Sequence, residues 1–485
     1  MNKLSQVLLI ISITITGVFH LNAQQNNNQN KKLFTRIDNY FSEGVKNGFS
    51  GAISVVKDGK VIINKGYGIA NKNTNSRNNP NTIFDIGSNT KQFTATAILK
   101  LAELKKLNLN DPLSKYFKNL PQNKQKITIE QLLSHTAGFL DALGKDFTKI
   151  SEKDFFNQLF DSKLLSIPGE KYNYSNAGYS LLGRIIELVS NQPYELFINE
   201  QLFKPAGMLQ TGYLLPNWDS KQISRSYNRG IIDNPSSIIR YKEDKLVNWH
   251  LKGNGGINST QNDMLLWYKA LKSNKIINKK SFQKLTSPYI PNPEKTSGYR
   301  FGWGVKNYKD TILRLTHNGS NGAYAHSLIW FPKKDIQIVY VTNANSSKVE
   351  FAAYRVAKII LDENYIPKPI QNNIYLFIYD FIENNPKEKS SQLIAKLKQD
   401  YKSDFKHAGV LNIVGNLKLK SNKNLDWALE LYKINVQLHP KNGNIWDSLG
   451  DGYKANNLNK KAIESYQKAI SLGYKESQLK IDELK

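Results

Sequence analysis

The 485-residue chain has no cysteine. Disulfide bonds, thiol catalysis and cysteine-ligated metals are thereby excluded, and the fold must be held by its apolar core alone. Long hydrophobic runs are nearly absent as well. A single one stands out, near the N-terminus, which excludes a multi-span membrane protein. Acidic residues are in short supply: 40 Asp and Glu face 67 Lys and Arg, for a formal net charge of +27. A surplus of that size raises nucleic acid or an anionic surface as a partner. The lysines, however, are spread along the whole chain, and no segment alternates dense Lys/Arg with aromatics. No specific nucleic-acid partner is therefore expected, which leaves non-specific attraction to anionic envelope polymers. What is present is ordinary for a globular protein: 40% hydrophobic and 22% charged residues, in a length that admits two or three domains.

The lone apolar run, in "MNKLSQVLLIISITITGVFHLNAQQNNNQN", places Lys3 ahead of Val7 to Phe19 and a small residue, Ala23, ahead of Gln24. That is the order of a secretory signal peptide, and cleavage after Ala23 is expected. The alternative is an uncleaved membrane anchor, for which the run is short. No cysteine follows for lipid attachment. The mature chain is thus expected to be exported, periplasmic or secreted, without a stable membrane span. It is expected to begin in a flexible Asn/Gln-rich segment over 24–31.

From 32 to 362, strand and helix signals mix. "FSGAISVVKDGKVIINKGYGIAN" reads as a hairpin turning at Asp58-Gly59. "TATAILKLAELKKL" spaces Ala97, Leu101 and Leu104 as a helix does. Thr128 caps a helix in "ITIEQLLSHTAGF", and "HSLIWFPKKDIQIVYVTNAN" is a second hairpin turning over Pro332 to Asp335. Strands at both ends with helices between them predict an α+β fold, an α/β sandwich. One antiparallel sheet, built from both ends of the region, would be flanked by helices and joined by an all-helical cluster. Beyond 362 helical periodicity takes over. Residues 363–404 read as a helical linker and 405–485 as an α-helical, repeat-like C-terminal domain. Ala428 aligns with Ala462 and Tyr432 with Tyr466, each at an offset of 34 (462 − 428 and 466 − 432). Trp446, Leu449, Gly450 and Tyr453 between them fit tetratricopeptide spacing. Such a tail admits a protein partner.

Three separated motifs carry chemistry. In Ser88-Asn89-Thr90-Lys91 the serine and lysine fall one turn apart on one face of a helix start. A partly desolvated lysine there can give up its proton and activate the hydroxyl, although a solvated surface pair is the plainer reading of the motif alone. In Tyr174-Ser175-Asn176 a loop enters a helix. A tyrosine near a lysine ammonium can be held as phenolate and take a proton, and Asn176 can donate to a substrate carbonyl. Tyr174 alone reads more plainly as a structural tyrosine. In His317-Asn318-Gly319-Ser320 the glycine permits close backbone approach to a ligand, and an exposed strand edge could pair with an acyl substrate. The N–H of Ser320 could form half of an oxyanion hole with that of Ser88. His317 alone reads as an ordinary hydrogen-bonded histidine.

In this chain order the three motifs resemble the serine β-lactamase and penicillin-binding-protein superfamily. "LLSHTAGF" (132–139), "GNGGINSTQNDMLLW" (253–267) and "YRFGWGV" (299–305) look like its class C β-lactamase-related branch. That branch includes D-alanyl-D-alanine carboxypeptidases, D-amino-acid peptidases and esterases. The likeness covers nearly all of 32–362 and implies a β-lactamase-like fold with an acyl-enzyme mechanism. Ser88 would be the nucleophile, Lys91 and Tyr174 would share the proton relay, and Tyr174 would protonate the leaving group. The Ser88 and Ser320 N–H groups would hold the oxyanion, and Asn176, His317 and Gly319 would meet a small-molecule or peptide substrate. No metal or organic cofactor is implied. One departure is His317, where many β-lactamases carry lysine. A neutral imidazole is a poorer partner for a carboxylate, so a peptidase or esterase role is favoured over antibiotic hydrolysis. His135 is expected to be structural, within its "SHTAG" turn. Two other readings are a slowly acylating sensor that signals through the tail and an adaptor carrying a relic hydrolase. Specificity is expected to lie in 145–165 and 213–249, which carry no readable code.

Overall fold

The computed structural model describes residues 27–287, 297–308, 312–346, 349 and 351–484. The expected signal peptide lies outside these residues. Of the segment expected to be flexible, 27–31 already belong to a helix, α1 (27–46). Neither glycine nor proline interrupts the polar run there, so it continues the helical turn. The chain divides into two compact units: Met1–Asn228 with Asp233–Gln371, and Arg229–Ile232 with Asn372–Lys485.

The first unit is built on a seven-stranded sheet of β1 (Gly51–Lys57), β2 (Lys60–Tyr67), β3 (Ser297–Arg300), β4 (Trp303–Tyr308), β5 (Ile312–Ser320), β6 (Ala325–Phe331) and β7 (Ile336–Thr342). The order is β2-β1-β7-β6-β5-β4-β3 and every pairing is antiparallel. The sheet is thus made from both ends of the region, β1 closing on β7 with Gly51 opposite Thr342 and Lys57 opposite Ile336. Both hairpin turns fall at the residues read from the sequence. Asp58 and Gly59 take φ of 50° and 72°, the left-handed pair that a two-residue hairpin needs, and Asp335 takes φ of 47° after a turn at Pro332–Lys334.

Side chains alternate across the sheet with the period of two that strands impose. Ile329, Phe331, Ile338 and Tyr340 pack with Phe41 of α1 and with Val356 of the helix Ala352–Leu361. Leu328, Trp330 and Val339 face the opposite way, into a core shared with Phe93 and Trp267. Each such buried side chain contributes roughly 1.5–3 kcal/mol. The central helix α2 (Thr90–Glu103) is buried without a break from Thr90 to Leu99, as a helix enclosed on all sides must be. Thr128 and Gln131 form a reciprocal capping box on the short helix Ile129–Leu133. This fixes the start of the segment that leads to His135.

The second unit holds the helices Ile374–Asn384, Ser390–Asp400, Gly409–Ser421, Leu425–Leu438, Gly443–Ala455, Asn459–Ser471 and Ser477–Asp482. Ile378, Leu393 and Leu397 from the first two share a core with Val414, Trp427 and Leu431. The stretch read as a linker therefore belongs to this unit from 372 onward: Ile374, Ile378 and Ile382 form an apolar stripe that has to be covered. Helix starts at 409 and 425 recur 34 residues on, at 443 and 459. Gly450 is where the repeat needs its smallest residue, since a Cβ there would lie 2.3 Å from the Tyr466 ring. Among the described residues no helix is long and apolar enough to cross a membrane.

Candidate active site

Ser88 sits ahead of α2, in a 3-10 turn, Gly87–Asn89. Gly87 takes φ of 53°, and a Cβ there would come within 2.6 Å of Ser320 N, so only glycine fits. The turn hands over to α2, where Lys91 is wholly buried. Its Nζ lies 3.1 Å from Ser88 Oγ, 2.6 Å from Asn176 Oδ1 and 2.7 Å from the Asn254 carbonyl. Burial pushes the Lys91 ammonium down to about 7, against an upward pull from Asp141 and Asp146. A neutral amine in this place donates to Asn176 and Asn254 and turns its lone pair toward the Ser88 hydroxyl.

Tyr174 stands on the loop before α3 (Asn176–Ser190). Lys91 Nζ lies 4.8 Å from its ring centroid, and its hydroxyl is within hydrogen-bonding reach of Ser88. Burial pushes the phenol upward, and the contact with Ser88 pulls it back only in part. Above about pH 7 the pair therefore rests as amine and neutral phenol. The ammonium–phenolate pair suggested by the sequence would place two charges where little solvent reaches them.

His135, 1% exposed, grips the loop on both sides of Tyr174. Its carbonyl accepts from Asn173 N at 2.7 Å and its Nδ1 from Ser175 N at 3.0 Å. An accepting Nδ1 leaves the proton on Nε2. Burial, with the nearby Lys91 and His317, holds the ring neutral. Its ring centroid lies 4.4 Å from that of Tyr174 and 4.5 Å from that of Tyr299. Asn176 is committed at both ends of its amide: Oδ1 accepts from Lys91 and Nδ2 donates to Asp141 at 2.9 Å. The second N–H of that amide is used by neither bond.

In the third motif, His317 and Gly319 are both engaged within the chain. His317 Nδ1 lies 2.8 Å from the Asn318 carbonyl, to which it must donate, and Nε2 accepts from the Tyr299 hydroxyl at 3.0 Å. Both nitrogens are engaged, so His317 presents no free hydrogen-bonding group to a substrate. Burial pushes it down to about 3, and it carries no charge at neutral pH. Gly319 makes a close approach to the chain itself. A Cβ there would lie 2.0 Å from the Ile86 carbonyl and 2.9 Å from Ser88 N. Its bareness is what lets β5 press against the turn that carries Ser88, bringing the backbones of Ser88 and Ser320 side by side. β4 pairs with β5 only as far as Thr316, so 317–320 run on beyond it.

Two participants escaped the sequence reading. Asn254 offers a backbone carbonyl to Lys91, and its own side chain is pinned by Ser180 Oγ and the His250 carbonyl, both at 2.8 Å. Asp85 ties Gly87 to Asn321. The Gly-rich "GNGG" run was the one available signal for Asn254, and Asp85 had none beyond its position three residues before Ser88. Beyond Ser320 opens a cleft of about 410 Å³, lined among others by Lys145, Asp146, Phe147, Arg240 and Asn321. The Arg240 guanidinium lies 4.3 Å from the Phe147 ring centroid. Both segments without a readable code thus meet at this cleft.

A seven-stranded antiparallel sheet with a serine, a buried lysine and a tyrosine gathered at the start of its central helix defines a class: serine hydrolases of the β-lactamase and penicillin-binding-protein type. The chain belongs to the Beta-lactamase family, whose model matches residues 37–361. It is similar to Protein flp of Staphylococcus aureus (strain NCTC 8325 / PS 47), with 31% identity over 335 residues, 67% of this chain and 65% of that protein. The chain thus spans about two thirds of the length of that curated relative. Among solved structures, the octameric penicillin-binding protein homologue from Pyrococcus abyssi superposes with a TM-score of 0.59 at 25% identity, covering 73% of this chain and 81% of that one. D-alanine carboxypeptidase AmpC from Burkholderia cenocepacia does so with a TM-score of 0.57, covering 69% and 99%, and at 20% identity shows the fold alone.

Proposed function

We propose that the protein is an exported serine hydrolase that cleaves amide or ester bonds, as a peptidase or esterase, through an acyl-enzyme on Ser88. The observation that carries this reading is the buried Lys91 amine, 3.1 Å from Ser88 Oγ and pushed down to about 7. In acylation Lys91 Nζ takes the Ser88 proton as Oγ bonds to the substrate carbonyl carbon. The charge on the carbonyl oxygen is received by the N–H groups of Ser88 and Ser320. As the intermediate collapses, Tyr174 gives its proton to the leaving nitrogen or oxygen and recovers one from the Lys91 ammonium. A water then attacks the acyl-enzyme, its proton passing through the same pair, and Ser88 Oγ leaves with a proton as the acid is released.

Tyr174, Tyr299 and His317 lie at one end of the 317–320 segment and the cleft beside Asn321 at the other. We therefore assign the leaving group to the tyrosine side and the acyl group to the cleft. The uncharged, fully bonded His317 supports peptide amides and esters over β-lactams, because it offers no fixed cation to a carboxylate. Export rests on the N-terminal sequence pattern and is checked by N-terminal sequencing of the mature protein. To the helical C-terminal unit we assign a protein partner, on the strength of its 34-residue recurrence.

Purified protein is expected to turn over p-nitrophenyl esters steadily and to lose that turnover in Ser88→Ala. A single persistent adduct on Ser88 would make it a slowly acylating sensor instead. Failure of a fluorophosphonate to label Ser88 would overturn the reading.

A further inference from the structure

Asp85 ends the short strand Phe84–Asp85, which pairs with Asn258–Ser259, and it is 3% exposed. One carboxylate oxygen, Oδ1, accepts from Gly87 N at 2.8 Å, and the other, Oδ2, from Asn321 Nδ2 at 3.1 Å. Gly87 immediately precedes Ser88, and Asn321 immediately follows Ser320. Asn321 is itself fixed, its Oδ1 accepting from Ala323 N at 3.1 Å and Tyr324 N at 2.9 Å.

We propose that Asp85 is the positioning residue of the oxyanion hole, its single carboxylate bridging the two chain segments whose N–H groups receive the carbonyl oxygen. The inference rests on the acyl-enzyme reading above, in which those donors are Ser88 and Ser320. Ser88 and Ser320 lie on elements far apart in sequence, a 3-10 turn and the end of a sheet strand. Gly87 and Gly319 allow the two to touch, but a glycine contact limits only how near they come. It does not stop one sliding along the other. The carboxylate does, because its two oxygens hold a fixed spacing and each takes an N–H from one side.

No lysine or arginine pairs with Asp85 among the described residues. Burial raises the carboxyl to about 6, against a downward pull from Gly87, Ser237 and Asn321. An unpaired buried carboxylate is an expensive way to close a turn, and an amide would satisfy Gly87 as well. Only a group that accepts with both oxygens can join Gly87 to the donating amide of Asn321.

The test is a reciprocal exchange. In Asp85→Asn the new amide N–H faces the Asn321 amide, donor against donor. In Asn321→Asp two carboxylates face each other. In the double variant Asn at 85 accepts from Gly87 and donates to Asp at 321, so the bridge is rebuilt in reverse. Ester turnover, phenylboronic acid inhibition and thermal melting are measured for all three. The boronate forms a tetrahedral adduct on Ser88 Oγ and sets an oxygen where the oxyanion would lie. Each single variant is expected to lose about 100-fold in kcat, on the scale of one lost oxyanion donor, with KM changed less than about threefold and boronate binding weakened in parallel. The double variant is expected to return to within about tenfold of the parent. A merely structural Asp85 would move melting temperature and the amount of active enzyme, and would leave the kcat of the folded fraction and the boronate affinity alone.

Single variants that keep kcat within about threefold, or a folded double variant no better than the singles, would overturn the proposal. Should Asp85→Asn not fold, Asn321→Ala removes one arm of the bridge only, and unchanged kcat there would be equally fatal. Failure of the underlying reading shows itself differently, as turnover in the parent protein that survives Ser88→Ala, and that too would overturn it.

Discussion

A lysine facing three oxygen acceptors would ordinarily hold its charge, yet burial drives Lys91 the other way, and Tyr174 is kept neutral by the same exclusion of water. The relay then depends on where the Tyr174 hydroxyl is held, which makes His135 consequential although it touches neither Ser88 nor a substrate. His135→Ala removes the acceptor for Ser175 N and is expected to cut single-turnover acylation by about 10- to 100-fold. His135→Asn, whose Oδ1 can stand where Nδ1 stood, should recover most of that loss at a similar melting temperature. Equal loss in both variants would show that the ring, and not its acceptor, matters. Ser88, Lys91 and Tyr174 were legible in the sequence because each motif is local. Their partners were not. Asn254 acts through a backbone carbonyl, which no residue type announces, and the bond of His317 to Tyr299 depends on a tertiary neighbour.

The two hairpins and the antiparallel order of the sheet could be read directly, because Asp58-Gly59 and Pro332 to Asp335 are turn chemistry and the strands alternate cleanly. The close contact of β5 with the Gly87–Asn89 turn could not. Gly319 signals freedom of approach without saying what approaches, and a ligand is as good a guess as a neighbouring turn. Gly319→Ala separates the two readings. Its Cβ would lie 2.0 Å from the Ile86 carbonyl, so both lower turnover, by at least about tenfold, and a melting point lowered by several degrees are expected. Lost turnover without any change in melting would return Gly319 to the substrate side.

The two units differ in how far the sequence revealed them. The repeat offset of 34 was visible because aromatic and small residues recur in register, whereas Ile374–Asn384 and Ser390–Asp400 carry no such mark and read as a linker until their apolar stripe finds its cover. Each unit has a core of its own. Gly450→Val drives a side chain into the Tyr466 ring and is expected to destabilise the helical unit by about 1–3 kcal/mol or more while ester turnover at Ser88 stays unchanged. Circular dichroism melting followed beside turnover reads both. Turnover that falls together with helical melting would mean that the hydrolase depends on the tail.

The central claim is that a neutral, buried Lys91 takes the proton of Ser88, and the pH dependence of single-turnover acylation tests it most directly. Because the folded-state value lies below the ordinary lysine range, the reactive amine is scarce in acid and accumulates as pH rises through about 7. Acylation of Ser88 by an ester is expected to climb tenfold per pH unit below that point and to level off above it, and Lys91→Met should abolish the climb along with most of the rate. A rate that is flat from pH 5 to 9, or one that rises only near pH 10, would contradict the account.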